Sequence, residues 1–304
     1  LVIWLTFAVL ASAANATDLS AEPDTTRHGV FVFRAVEADR SLVRALEPLA
    51  DRALERLAVD LGETPDGPIA VVLAPDDQAF NQFQPPGEPL PDWAVGVAYP
   101  GSMTMVIRSH HIPGTPRQDI GAIFIHELTH LVLGARFGER PVPFWLHEGL
   151  AMYEAGEWHP GHEWDLVRAV LANRVPPLDA LAVAGRSEAE ARTVYALSEA
   201  LVGHMIATYG RGRFGALVDQ LAEGESFEGA LISAFRITPE RFEEKWQVHL
   251  DRRYTWIPLI TSTTALWVVM MAVAFVAYAA KKRRNRKIAA AWAEEEQESG
   301  QSAE

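Results

Sequence analysis

From Trp256 to Ala280 the chain carries no charged side chain, and this one stretch limits what the rest of it can be. A helix of that length, rising about 1.5 Å per residue, reaches across the ~30 Å hydrocarbon core of a bilayer. A soluble helix as long would show a polar face. Trp256 and Tyr278 stand near the two ends, where amphipathic rings favour the membrane interface. KKRRNRK follows, basic at every position from Lys281 to Lys287 except Asn285. An excess of Lys and Arg marks the cytoplasmic side. The expectation is therefore a single transmembrane helix over 255–280 and a cytoplasmic tail over 281–304, with everything earlier outside the cytoplasm.

The other end points the same way. Residues 1–16, LVIWLTFAVLASAANA, are a short apolar run followed by small residues, with Ala14-Asn15-Ala16 as an A-x-A cleavage site. That pattern reads as a signal peptide, although neither a Met nor a basic segment precedes it. Between the two ends lie an expected linker (17–27) and an expected folded domain (28–254).

Charge and composition narrow the chemistry. A net charge of −13 and a pI near 5.3 leave no long-range field to attract phosphate, so nucleic acid is excluded as the main partner. The chain has no cysteine. Disulfides and thiolate metal sites are excluded with it, and any metal must be held by imidazole and carboxylate.

The domain opens as strand, helix, strand. Gly29 to Arg34 reads as a strand, Ser41 to Leu61 as an amphipathic helix with a 3.6-residue apolar stripe, and Ile69 to Leu73 as a short apolar strand. Trp93–Tyr99 and Met103–Arg108 form a predicted hairpin about Pro100-Gly101-Ser102. Thr115-Pro116 offers a helix start, and Gly138 closes that helix. Pro143 opens another, ending near Gly156. From Trp164 to Tyr254 the pattern is helical, broken at Pro176-Pro177, Gly210 to Gly215 and Gly224. The fold class expected is α+β: a small mixed sheet with helices, then a helical subdomain.

Within the first of those later helices stands Ile125-His126-Glu127-Leu128-Thr129-His130. Side chains four apart on a helix share a face, about 6 Å between them, so His126 and His130 can reach one ion. Glu127 projects beside that ion, where a carboxylate can take a proton from bound water. Ile123, Phe124, Leu128, Leu131 and Val132 make this helix apolar, and buried polar groups in such a helix need a partner. Two histidines leave a tetrahedral zinc site short of one protein ligand. Glu148, in Trp145-Leu146-His147-Glu148-Gly149-Leu150-Ala151 on the following helix, can supply it. Small Ala151 would let the two helices approach.

These two motifs together resemble the gluzincin peptidases, in particular the peptidase MA-like families of bacterial membrane-associated or exported proteins. The resemblance covers roughly residues 28–250. It implies one zinc ion per chain held by His126, His130 and Glu148, with Glu127 as the general base of peptide-bond hydrolysis. It further implies a donor to the developing oxyanion from a downstream helix, for which Thr193-Val194-Tyr195-Ala196-Leu197-Ser198 offers Tyr195; His204 is a weaker candidate. Related enzymes hold an extended peptide along an edge strand, so Val95, Gly96 and Val97 are the expected substrate-binding residues, Gly96 permitting close backbone approach. Where the family usually has a small or polar residue this chain has His147, read as supporting the site or the packing.

The remaining histidines read more plainly. His110-His111 is structural, and a second metal at His159, His162 and Glu163 is disfavoured. The expected partners are a peptide or protein substrate and the membrane. Two other classes stay open on these residues: a catalytically idle surface-binding relative, and a zinc hydrolase acting on a non-peptide amide of the envelope. Proteolysis within the bilayer is rejected, because Arg136, Glu139 and Arg140 follow the metal motif closely.

Overall fold

The computed structural model describes residues 24–62, 65, 67–82, 94–110, 119–157, 160–183, 188–254 and 263–301. The expected signal peptide and the Thr115-Pro116 helix start lie outside them. The chain divides into two compact units, Leu1–His249 and Leu250–Glu304.

The first unit opens on the strands β1 (Asp24–His28) and β2 (Phe31–Ala35), then α1 (Arg40–Leu61), β3 (Ile69–Ala74) and the short α2 (Asp77–Asn81). The hairpin strands β4 (Gly96–Tyr99) and β5 (Thr104–Arg108) complete a five-stranded sheet of order β1-β2-β3-β5-β4. β2, β3 and β5 run parallel, while β1 and β4 lie antiparallel at the two edges. The mixed sheet expected from the sequence is thus present, and so is the hairpin, with Gly96 opposite Ile107 and Tyr99 opposite Thr104.

Three corrections follow. β1 occupies a stretch read as linker. Asp24-Thr25-Thr26-Arg27-His28 offers no apolar residue and hence no periodic signal; an edge strand exposed on its faces is held by backbone pairing to β2. The metal-motif helix, α3 (Ile120–Phe137), starts later than Thr115-Pro116 suggests, at Asp119, whose carboxylate accepts from the Gly121 and Ala122 N–H groups, at 2.9 and 3.3 Å. The expected break over Gly210–Gly215 shrinks to Gly210 alone. Gly210 has φ +85, and α7 already runs from Arg211. Gly215 inside α7 instead lets the helix lie against α1, since a Cβ there would stand 3.1 Å from the Asp60 carbonyl oxygen.

After α3 come α4 (Phe144–Ala155), α5 (Pro160–Leu171), α6 (Glu188–Tyr209), α7 (Arg211–Ala222), α8 (Phe227–Phe235) and α9 (Pro239–Tyr254). The second unit contains the end of α9 and a long helix, α10 (Thr263–Gln301).

The core of the first unit explains why α3 lies where it does. Its Phe124 is fully buried, with ring centroids 5.9 Å from Phe31 and 6.4 Å from Phe33 of β2. Gly134 meets the hairpin turn, because a Cβ there would come within 2.4 Å of the Pro100 ring. α3 is long and apolar enough to cross a membrane, yet 67% of it is buried inside the protein. That is the signature of a core helix. With its apolar residues packed between sheet and helices, the polar residues of α3 are buried too, and the site is built on them.

Candidate metal centre

His126, Glu127 and His130 are all at most 3% exposed. One helical turn separates the two imidazoles, whose ring centroids lie 4.7 Å apart, edge to face. Helix α4 brings Glu148 against them: its Oε2 is 3.8 Å from His126 Nε2 and its Oε1 is 3.9 Å from His130 Nε2. One donor atom from each of the three residues falls within 4.8 Å of the others. Two ligands at about 2.0–2.1 Å in a tetrahedral site stand about 3.3 Å apart. The observed gaps are wider than that, and the three donors would draw inward on an ion.

The donor set fits such an ion on independent grounds. His126 Nε2, Glu148 Oε2 and both oxygens of Glu127 are buried without a hydrogen-bond partner. Buried polar atoms are normally paired, and here His126 Nε2 and Glu148 Oε2 face each other across 3.8 Å. Two imidazoles and a carboxylate suit zinc.

The electrostatics describe the same deficit. Burial acts to strip His126 of charge, but the Glu157 carboxylate, by charge and hydrogen bond, and the carboxylates of Glu127 and Glu148 push its pKa up to about 9. Burial pushes Glu127 up to about 8, His126 opposing and Glu148 and Glu157 adding to it. Burial, with His147 and His126 alongside, holds His130 well below the usual histidine range. Carboxylates gathered this closely in a dry site call for positive charge, which a divalent cation supplies.

What holds the site was only partly foreseen. Glu157, just past the end of α4, places Oε1 at 2.8 Å from His126 Nδ1. A carboxylate only accepts, so Nδ1 carries a proton toward Glu157 and Nε2 is the nitrogen turned to the centre. Nothing in the sequence marked Glu157. Its role depends on the left-handed turn at Gly156 (φ +70), which folds the chain back toward α3. Behind it, His162 Nδ1 of α5 and Glu199 Oε2 of α6 form a buried pair at 2.9 Å. His162 therefore meets Glu199, and the described metal group does not include it.

Two glycines set the spacing. A Cβ on Gly96 would lie 2.5 Å from Glu127 Oε1, so edge strand β4 runs directly against the catalytic candidate only because that side chain is missing. A Cβ on Gly149 would lie 2.4 Å from the Ser198 carbonyl oxygen, which seats α4 on α6. Ala151, expected from its small size to let α4 approach α3, is fully buried.

The other candidates fall as follows. Val95, Gly96 and Val97 lie at and before the start of β4, with the Val95 carbonyl accepting from the Arg108 N–H at 2.9 Å. Tyr195 of α6 is buried, its ring edge-on to Phe144 at 5.1 Å, one turn before Glu148. His204 packs near His249 and Trp246, at 4.2 and 5.4 Å between ring centroids. His110 reaches the Asp77 carboxylate at 3.2 Å.

No curated protein matches the chain. Among solved structures, an M1 zinc metallopeptidase from Deinococcus radiodurans in a glutamate-to-alanine mutant form is similar at 14% identity and a TM-score of 0.40, over 78% of this chain and 52% of that one. The M1 zinc metallopeptidase from the same organism is similar at 15% identity and a TM-score of 0.37, over 77% and 51%. The chain thus spans about half the length of the solved structures it matches. Residues 49–252, which include both metal-facing helices and the edge strand beneath them, match the Peptidase MA superfamily, and the chain belongs to that superfamily.

Proposed function

We propose that this protein is a membrane-anchored, extracytoplasmic zinc metallopeptidase that hydrolyses peptide bonds. The observation that carries the reading is the convergence of His126, His130 and Glu148 donor atoms within 4.8 Å, with the unpartnered Glu127 carboxylate beside them. Zinc held by these three residues would polarise a substrate carbonyl and lower the pKa of a coordinated water.

The chain's own residues do the rest. Glu127 accepts a proton at one of its oxygens and returns it to the leaving amine. The raised Glu127 pKa, about 8 before any cation binds, reflects a dry pocket in which a carboxylate is a strong proton acceptor. β4 is an edge strand, and because the Val95 carbonyl is bonded to β5, the alternating Gly96 backbone faces the open edge, so an extended substrate lying along Val95, Gly96 and Val97 can pair there without demanding a sequence. Close contact at Gly96 then places the paired peptide next to Glu127. Tyr195 is the proposed donor to the oxyanion.

Membrane anchorage rests on the uncharged run before Lys281. Within α10, Leu266 to Met271, Val273, Phe275, Val276 and Tyr278 are all exposed, an apolar surface suited to lipid. The basic residues that follow orient the tail to the cytoplasm.

The decisive experiment is Glu127→Ala in the full chain. Zinc content, measured by metal analysis, stays at one per chain, while cleavage of a peptide library falls roughly 10²–10⁴-fold. Hydrolysis persisting at the wild-type rate would end the proposal. A reporter fused after Glu304 tests the topology, its activity being expected in the cytoplasm alone.

A further inference from the structure

We propose that His147 is a positioning residue that commits Glu148 to meet the ion through a single oxygen, Oε2. The inference rests on the metallopeptidase reading above and concerns how that centre is kept open.

Neighbours on a helix point about 100° apart, so His147 would ordinarily face away from a ligand at the next position. It does not. Its ring lies flat on that of His130, 4.0 Å between centroids and 12° between planes. Its Nδ1 lies 2.9 Å from Glu148 Oε1. Because the carboxylate oxygen can only accept, His147 carries its proton on Nδ1. The whole side chain is buried, 5% exposed for the residue, so no water competes for this hydrogen bond.

The two oxygens of Glu148 are thereby made unequal. Oε1 is taken by His147. Oε2 is buried with no hydrogen-bond partner and stands 3.8 Å from the equally unpartnered His126 Nε2. A carboxylate with both oxygens available can wrap an ion and consume a coordination position. With one oxygen held back, that position stays open for water or a substrate carbonyl, as a hydrolytic zinc site requires. Stacking on His130 does a second job: one ring fixes the rotation of a neighbouring ligand and the orientation of the carboxylate together. Partners of ligating groups at this distance typically change metal affinity by roughly 10–100-fold.

The test uses the full-length protein with zinc or cobalt(II) as the probe. His147→Phe keeps an aromatic ring on His130 and removes the donor. His147→Asn keeps a donor where Nδ1 stood and removes most of the ring. Zinc affinity is read by competition with a chelator, and coordination number by the visible absorption of the cobalt(II) form. Circular dichroism checks that each variant is folded. The Phe variant is expected to bind zinc roughly 10–100-fold more weakly and to show weaker cobalt absorption as the second oxygen joins the ion. The Asn variant should recover much of both. A folded Phe variant with wild-type affinity and spectrum overturns the proposal, as does an Asn variant no better than Phe. Wild-type protein that binds no zinc would instead refute the metal reading itself, so the two failures are distinct.

Discussion

Helix α4 carries two buried glutamates, Glu148 and Glu154, in opposite surroundings. Glu154 sits among its own counter-charges: Arg56 of α1 ion-pairs with it and donates to its backbone carbonyl at 2.6 Å. Arg211 of α7 reaches its Oε1 at 2.9 Å and also pairs with Asp60. Two carboxylates meet two guanidiniums, and the cluster ties α1, α4 and α7 together. Glu148 meets only histidines and, nearby, further carboxylates. No Arg or Lys side chain forms a salt bridge with it among the described residues. The same helix thus uses one glutamate to complete the fold and holds the other incomplete. A buried carboxylate without a matching counter-charge is costly, and such an arrangement is sustained by something that binds there.

That contrast can be broken at either end. The largest effect expected is on stability at the closed cluster. Glu154→Ala leaves Arg56 and Arg211, both partly exposed, facing Asp60 alone, and urea denaturation should show a loss of about 3 kcal/mol. If it proves neutral, Glu154 is no better partnered than Glu148. At the open cluster the sign reverses. Zinc at a hundredfold excess over its Kd should stabilise the wild type by about 2.7 kcal/mol, seen as a rise in Tm. Glu148→Ala should abolish that rise and leave the zinc-free protein at least as stable, since it removes a carboxylate that raises the pKa of Glu127.

Gly96→Ala is a smaller perturbation in the same place. With 2.5 Å between the new methyl and Glu127 Oε1, crowding should cost about 1–3 kcal/mol and push Glu127 out of line. Peptide cleavage should fall while zinc stoichiometry holds. An unchanged rate would mean that β4 does not position Glu127.

The finest probe is pH. Burial, aided by the charge of Glu154 and opposed by Arg211 and Arg56, raises the Asp60 pKa from 3.8 to about 7. The folded protein therefore holds this proton at a pH where the unfolded chain has lost it. Asp60's contribution to stability is complete below about pH 4 and is lost as the pH rises through about 7. Comparing urea midpoints of wild type and Asp60→Asn across that window should show a flatter profile in the variant. Parallel profiles would remove Asp60 from the account.

Much of this architecture was legible from the residues themselves. The period of Ser41–Leu61 matched α1, the apolar run at Ile69 matched β3, and Pro100-Gly101-Ser102 marked the hairpin that carries Gly96. These are local signals, set by side-chain periodicity and turn chemistry. The misses share one cause. β1 is held by pairing to β2, not by its own composition. Thr115-Pro116 is a good start signal, yet Asp119 makes the cap of α3. Glu157, Glu199 and His162 act across gaps between elements, and no spacing within one helix announces them.

Taken alone, the sequence determined that two histidines four apart share a helix face with a glutamate projecting beside them, that Glu148 follows on a second helix, and that no cysteine could substitute. Those facts depend on helical geometry and hold wherever the helices lie. Only the tertiary structure decided which buried charges are answered from within. Arg56 and Arg211 come from α1 and α7 to close one end of α4, while Glu157, His147 and the bare backbone of Gly96 shape the other end without closing it. Whether a buried charge is neutralised depends on what long-range packing brings within a few ångströms, and that is settled by the fold as a whole.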